Sequence, residues 1–128
     1  MRLLLDTHVI LWAAIRPDKL PAAARKLLEN SRNELIFSVV SLWEIAIKHA
    51  LGRADFRIDP HVLRRGLLES NYVELPILAE HVLATVNLPP LHHDPFDRLL
   101  VAQALAEGMV LLTVDEALAG YSGPVRVV

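Results

Sequence analysis

Two aspartates stand three residues apart in the stretch His92-His93-Asp94-Pro95-Phe96-Asp97-Arg98. That spacing makes Asp94 an N-cap, Pro95 the first helical residue and Asp97 the third. Cap and third-position side chains both fold back over the open end of a helix, so two carboxylates are aimed into one small volume. Taken alone, the stretch reads as an ordinary helix start, because acids there cap free N–H groups and suit the helix dipole. Chemistry enters with the acids that recur at equivalent points elsewhere. Asp6 ends the first apolar run, Asp115 ends the run 109–114, and Glu44 follows the run 34–38.

These acids need a scaffold that brings them together. Residues 2–6 and 34–38 are short, almost wholly apolar runs, which suit central strands of a parallel sheet better than alternating edge strands. The run 109–114 is a third such strand, 72–75 a brief one, and 124–128 a last edge strand. Helices are expected at 7–14, 21–30, 60–70 and 77–86, with the stretch 53–59 as an irregular loop. A further helix opens at Ser41 and is closed by Gly52, which places Glu44 in its first turn. The helix 95–107 is apolar nearly all round, so it should be buried, and Gly108 ends it. Strands alternating with helices predict one α/β domain over residues 1–128, a central parallel sheet covered by helices on both faces.

In such sheets ligands bind outside the carboxyl ends of the strands. Asp6, Glu44, Asp94, Asp97 and Asp115 all fall on that edge. Each has a plain structural alternative. Asp6 and Asp115 can cap the helices after them, and Ser41-Leu42-Trp43-Glu44 fits a capping box. Together, however, they would crowd like charges on one edge, raising pKa values and costing stability unless a cation neutralises them. All-oxygen ligands favour Mg²⁺ or Mn²⁺ over zinc, and such ions activate water for attack on a phosphodiester.

Composition narrows the classes. Thirteen basic against fifteen acidic side chains give a net charge of −2, so no strongly basic nucleic-acid binder is announced. Without cysteine there is no disulfide framework, thiolate zinc site or cysteine nucleophile. Asp6 and His8 interrupt the apolar start too early for a signal peptide, and no run approaches the roughly 20 apolar residues that cross a bilayer. A soluble cytoplasmic chain is expected.

Order and spacing resemble one family. Leu3-Leu4-Leu5-Asp6-Thr7-His8, Ser38-Val39-Val40-Ser41-Leu42-Trp43-Glu44-Ile45, His93-Asp94-Pro95-Phe96-Asp97-Arg98-Leu99-Leu100-Val101-Ala102-Gln103 and Leu112-Thr113-Val114-Asp115 together resemble the PIN-domain nucleases of VapC type, toxins of bacterial toxin–antitoxin pairs. The resemblance covers nearly the whole chain and implies a three-layer α/β fold. It puts the acidic quartet on Asp6, Glu44, Asp97 and Asp115, with Asp94 as an extra acid and the hydroxyls of Thr7 and Thr113 near the metal or its waters. It implies Mg²⁺-dependent cleavage of RNA, with Mn²⁺ able to substitute. It also implies a homodimer, and an antitoxin whose C-terminal segment occupies the active-site groove.

Other residues carry weaker signals. His92-His93-Asp94 has the look of a ligand cluster, yet adjacent histidines point apart and solvated loop histidines are the expectation. Arg98 can touch a phosphate or pair with Asp94. Lys48, Arg53, Arg57, Arg64 and Arg65 form either a basic rim for RNA or, for most of them, a solvated helix face. Trp12 and Trp43 are expected in core or interface. Ser38 and Ser41 lack an activating histidine, against a serine hydrolase. A receiver domain would want adjacent acids at Asp6, and a haloacid-type phosphatase an acid where His8 stands. A non-catalytic interaction module on the same fold, or another metal-dependent phosphoesterase, is the alternative to the nuclease.

Overall fold

The computed structural model describes residues 1–91, 93–121 and 123–128. Its centre is β1 (Arg2–Leu5), whose three leucines are fully buried. β1 is flanked by β2 (Glu34–Ser38) and β4 (Val110–Thr113), with β3 (Val73–Leu75) and β5 (Val125–Val127) at the edges. The order is β3-β2-β1-β4-β5 and every pairing is parallel. The helices are α1 (Thr7–Ile15), α2 (Ala22–Glu29), α3 (Val39–Ala50), α4 (Pro60–Glu69), α5 (Ala79–Ala84) and α6 (Pro95–Glu107).

Alternation along the strands divides the core into two layers. Leu3, Leu5, Phe37 and Leu112 face one side, where they meet Val9, Ile10, Ala24, Leu63 and Leu67 of α1, α2 and α4. Leu4, Ile36 and Leu111 face the other, against Leu100, Val101 and Ala104 of α6. Helix α3 contributes Ile45 to the first layer and Val40 to the second. Burying each of the three β1 leucines contributes about 1.5–3 kcal/mol.

Boundaries follow local chemistry. Asp94 caps α6 with Pro95 in its first turn, and Gly108 closes it in the left-handed conformation at φ 66°, where a side chain would be strained. The 53–59 stretch is not wholly irregular: Ala54–Phe56 form a 3-10 turn whose Phe56 is buried. The expected 77–86 helix is shorter, Ala79–Ala84 followed by a 3-10 turn. The start of α3 is a correction. Ser38, not Ser41, is its N-cap, accepting the Val40 N–H at 3.0 Å. Among the described residues no helix is long and apolar enough to cross a membrane.

Candidate active site

The chain begins at the middle of the sheet, builds β2 and β3 on one side, then crosses to β4 and β5 on the other. The switch point therefore lies between β1 and β4, where open α/β sheets bind ligands. Backbone pairing carries past the strand ends and fixes the geometry there. The Asp6 N–H donates to the Leu112 carbonyl at 2.9 Å.

Asp6 is 4% exposed, and each of its oxygens is held. Oδ1 accepts the Thr7 N–H at 2.7 Å, and Oδ2 accepts the Thr113 hydroxyl at 2.6 Å. Burial pushes its carboxyl above the usual carboxylate range. The bonds from Thr113 and Thr7 pull it partway back, and the charge of Glu44 adds to the rise. The Thr113 hydroxyl also accepts the Asp115 N–H at 3.0 Å, so one buried group links two acids. Asp115 in turn caps the following 3-10 turn through the Ala117 N–H at 2.9 Å. The capping readings of Asp6 and Asp115 thus hold alongside a shared location, since the caps fix where the carboxylates stand.

Glu44 is also 4% exposed. With α3 starting at Val39, it sits in the second turn, and Ser41 is inside the helix, so the capping-box account of Glu44 does not apply. Its Oε1 accepts the Thr7 hydroxyl at 2.6 Å, and Oε2 lies 2.5 Å from Lys48 Nζ. Ser41 Oγ is 3.0 Å from Thr7 Oγ1, closing a buried hydroxyl–carboxylate cluster. Thr113 therefore orients Asp6, while Thr7 and Lys48 orient Glu44.

Asp97 is half-buried in the first turn of α6, its N–H 3.2 Å from Asp94 Oδ1. The same Asp94 oxygen takes the Phe96 N–H at 2.8 Å, so Asp94 acts as the helix cap. That turn rests on α3, where the Phe96 and Trp43 rings meet edge to face at 5.0 Å. Trp43 is 53% exposed, so it is not a core residue. Arg98 has a task that its sequence position does not suggest. Its guanidinium donates to the carbonyls of Thr85 (2.9 Å) and Pro89 (3.0 Å) and to the Tyr121 hydroxyl (3.2 Å), clamping the chain before α6.

Of the basic residues, Lys48 turns to Glu44 rather than to solvent, and Arg64 pairs with Glu74 through two contacts of 2.6 and 3.1 Å. Arg53, Arg57 and Arg65 are exposed. In the candidate cluster His92-His93-Asp94, His92 lies outside the described residues. Sequence reasoning missed the contact of Ser41 with Thr7 and those of Phe56 and Phe96 with Lys48. The Glu44–Lys48 contact had a visible signal in its i,i+4 spacing.

Among the described residues, one group of three metal-type side chains has its ligand atoms within 4.8 Å of one another, and it is elsewhere: Glu80, His81 and Glu107. It joins α5 to the end of α6 opposite Asp97. Its hydrogen bonding opposes ligation. His81 Nδ1 accepts the Leu78 N–H at 3.0 Å and faces the Gln103 amide nitrogen at 3.2 Å, so the proton sits on Nε2, 3.4 Å from Glu107. A metal-binding histidine has the reverse polarity, donating its other N–H to an acceptor. Gln103 passes the network to Ser38, whose hydroxyl donates to Oε1 at 2.5 Å, and thus to the cap of α3. The group is a brace between α5, α6 and α3.

The whole chain invites comparison once this geometry is fixed. A PIN domain family profile matches residues 3–123. Ribonuclease VapC22 of Mycobacterium tuberculosis is 32% identical over 123 residues, covering 94% of this chain and 92% of that protein. Among solved structures, VapBC2 from Rickettsia felis, bound to a DNA fragment from its promoter, aligns with TM-score 0.75 at 17% identity over 99% of this chain and 98% of that one. VapC20 of Mycobacterium tuberculosis, a sarcin-ricin loop cleaving toxin, aligns with TM-score 0.63 at 15% identity over 93% and 95%. The family profile and the VapC22 match carry the assignment, and the solved structures share its fold: the chain belongs to the PIN domain family.

Proposed function

We propose that this chain is a divalent-metal-dependent endoribonuclease, the toxin half of a toxin–antitoxin pair. The observation that carries the reading is Asp6, a buried carboxylate at the sheet's switch point whose ionisation is opposed by burial and by Glu44. Charge buried in that way calls for a cation. The donor set fits a hard one: Asp6, Glu44, Asp97 and Asp115 offer only oxygens, and the chain has no cysteine. Mg²⁺ keeps several waters, so acids can hold it through water as well as directly. Mn²⁺ would substitute. The four acids hold the ion directly or through water, Thr113 and Thr7 fix Asp6 and Glu44, and Arg98 steadies the approach to α6. When bound, the ion supplies a water of lowered pKa and neutralises charge at the phosphodiester.

The relative's name, Ribonuclease VapC22, supports RNA as substrate, and the VapBC neighbours support a protein antitoxin as partner. A homodimer is consistent with the exposed apolar side chains Leu83 and Val86, which are 67% and 80% exposed. The test is cleavage of a mixed single-stranded and structured RNA pool with Mg²⁺, Mn²⁺ or EDTA. We expect metal-dependent cutting that disappears in Asp97→Asn while the fold is retained. Cutting that survives in the variant refutes the assignment. Absence of cutting under every condition favours the non-catalytic interaction module.

A further inference from the structure

The Glu44 carboxylate has two holders of different kinds, the neutral Thr7 hydroxyl on Oε1 and the Lys48 ammonium on Oε2. Lys48 has little freedom to stand elsewhere. Its Nζ is 5.1 Å from the Phe56 ring centroid and 5.8 Å from that of Phe96, so aromatic faces bound it on two sides. Phe56 belongs to the 3-10 turn after α3, and Phe96 to the first turn of α6, beside Asp97. The Lys48 and Glu44 side chains are 23% and 5% exposed, against 55% and 66% for the surface pair Arg16–Asp18. A solvated pair at this spacing does little. Here the acid is withdrawn from water beside a second buried acid, so the ammonium neutralises a charge that water cannot reach.

We propose that Lys48 is a built-in counter-ion that positions Glu44 when no metal is bound and gives up Oε2 when a divalent cation enters, so that it sets metal affinity. The inference rests on the metal-dependent reading above. Its consequence has a sign that packing alone would not produce. Ammonium and metal compete for one oxygen and repel each other, so removing the ammonium weakens the chain without metal and tightens its hold on metal. A side chain that merely filled space would, on removal, leave metal affinity unchanged or lower it.

The experiment is Mn²⁺ binding by titration calorimetry, together with thermal melting in EDTA and in saturating Mn²⁺. It compares the native chain, Lys48→Met, Lys48→Arg and Asp97→Asn. Lys48→Met should melt below the native chain in EDTA, bind Mn²⁺ about tenfold more tightly, and show a smaller melting deficit once saturated. Lys48→Arg keeps the charge and should restore close to native affinity. Should the Met variant fail to fold, Lys48→Gln serves for the same comparison. Equal or weaker Mn²⁺ binding by the uncharged variant overturns the proposal, and it leaves the metal site standing if native binding is lost in Asp97→Asn. A native chain that binds no Mn²⁺ overturns the metal-dependent reading and this inference with it.

Discussion

Thr113→Val asks whether the site depends on one buried hydroxyl. Thr113 is fully buried at the end of β4, donates to Asp6 Oδ2 at 2.6 Å and accepts the Asp115 N–H at 3.0 Å. Valine keeps the volume and the β-branched fit to a strand, so the change opens no cavity and leaves the ladder intact. What is lost is a hydrogen bond to a buried charged group, about 1.5–3 kcal/mol, and a partner for a backbone N–H beside a half-buried residue that water can partly replace, about 0.5–1 kcal/mol. The sum is about 2–4 kcal/mol. For a chain of this size each kcal/mol moves Tm by about 3–5 °C, so the variant should melt about 6–20 °C lower.

The effect should also depend on pH in a direction fixed by Asp6. Burial raises the Asp6 pKa in the folded state above 3.8, so ionised Asp6 costs stability at neutral pH, and that cost is relieved as pH falls through the raised value. The Thr113 bond is strongest to the ionised form, so its loss should hurt most near about pH 8 and least near about pH 4. Melting followed by circular dichroism in EDTA at both pH values measures this. The same substitution in an Asp6→Asn background should cost markedly less than in the native chain, because the charged acceptor is gone. A Tm change under about 2 °C at neutral pH, or equal losses in both backgrounds, would refute the reasoning.

Two further outcomes follow from the same geometry. Asp6→Asn removes the buried charge and its repulsion with Glu44, so in EDTA at neutral pH it should unfold at higher urea than the native chain while losing RNA cleavage. Lower stability would mean that the hydrogen bonds outweigh the desolvation. Arg98→Met strips donors from the carbonyls of Thr85 and Pro89 and from the Tyr121 hydroxyl, a loss of about 1–3 kcal/mol after allowing for water at the exposed side. Arg98→Lys should recover less than half of it by urea melts, since an ammonium lacks the planar fork that reaches several acceptors at once.

The fold was legible where the chain's local patterns agree with one another. The runs at 2–6 and 109–114 are apolar on both faces because β1 and β4 pack against helices on both sides, and Leu3, Leu4 and Leu5 divide between the two layers. Gly108 could be read as the stop of α6 because few other residues accept φ 66° there. The end of the sheet that bears the acids was likewise readable, because a strand of a parallel sheet must deliver its last residue to the same edge as its neighbours.

Glu44 was harder for a physical reason. Ser38 and Ser41 are both competent caps, and Val39-Val40 between them looks like the continuation of a strand. What decides for Ser38 is remote: its hydroxyl both caps the Val40 N–H and donates to Gln103, which is fixed in turn by His81. No local pattern encodes a partner 65 residues away. Moving the start of α3 three residues earlier has chemical consequences. It takes Glu44 away from the helix terminus, where backbone N–H groups would have satisfied it, and leaves it to Thr7 and Lys48. Glu44 is buried on the inner face of a helix whose outer face is exposed, and side chains alone hold it, so its charge carries a desolvation cost that the pairing with Lys48 must offset. The same feature that obscured Glu44 in the sequence is therefore the strongest structural argument that its carboxylate has a use.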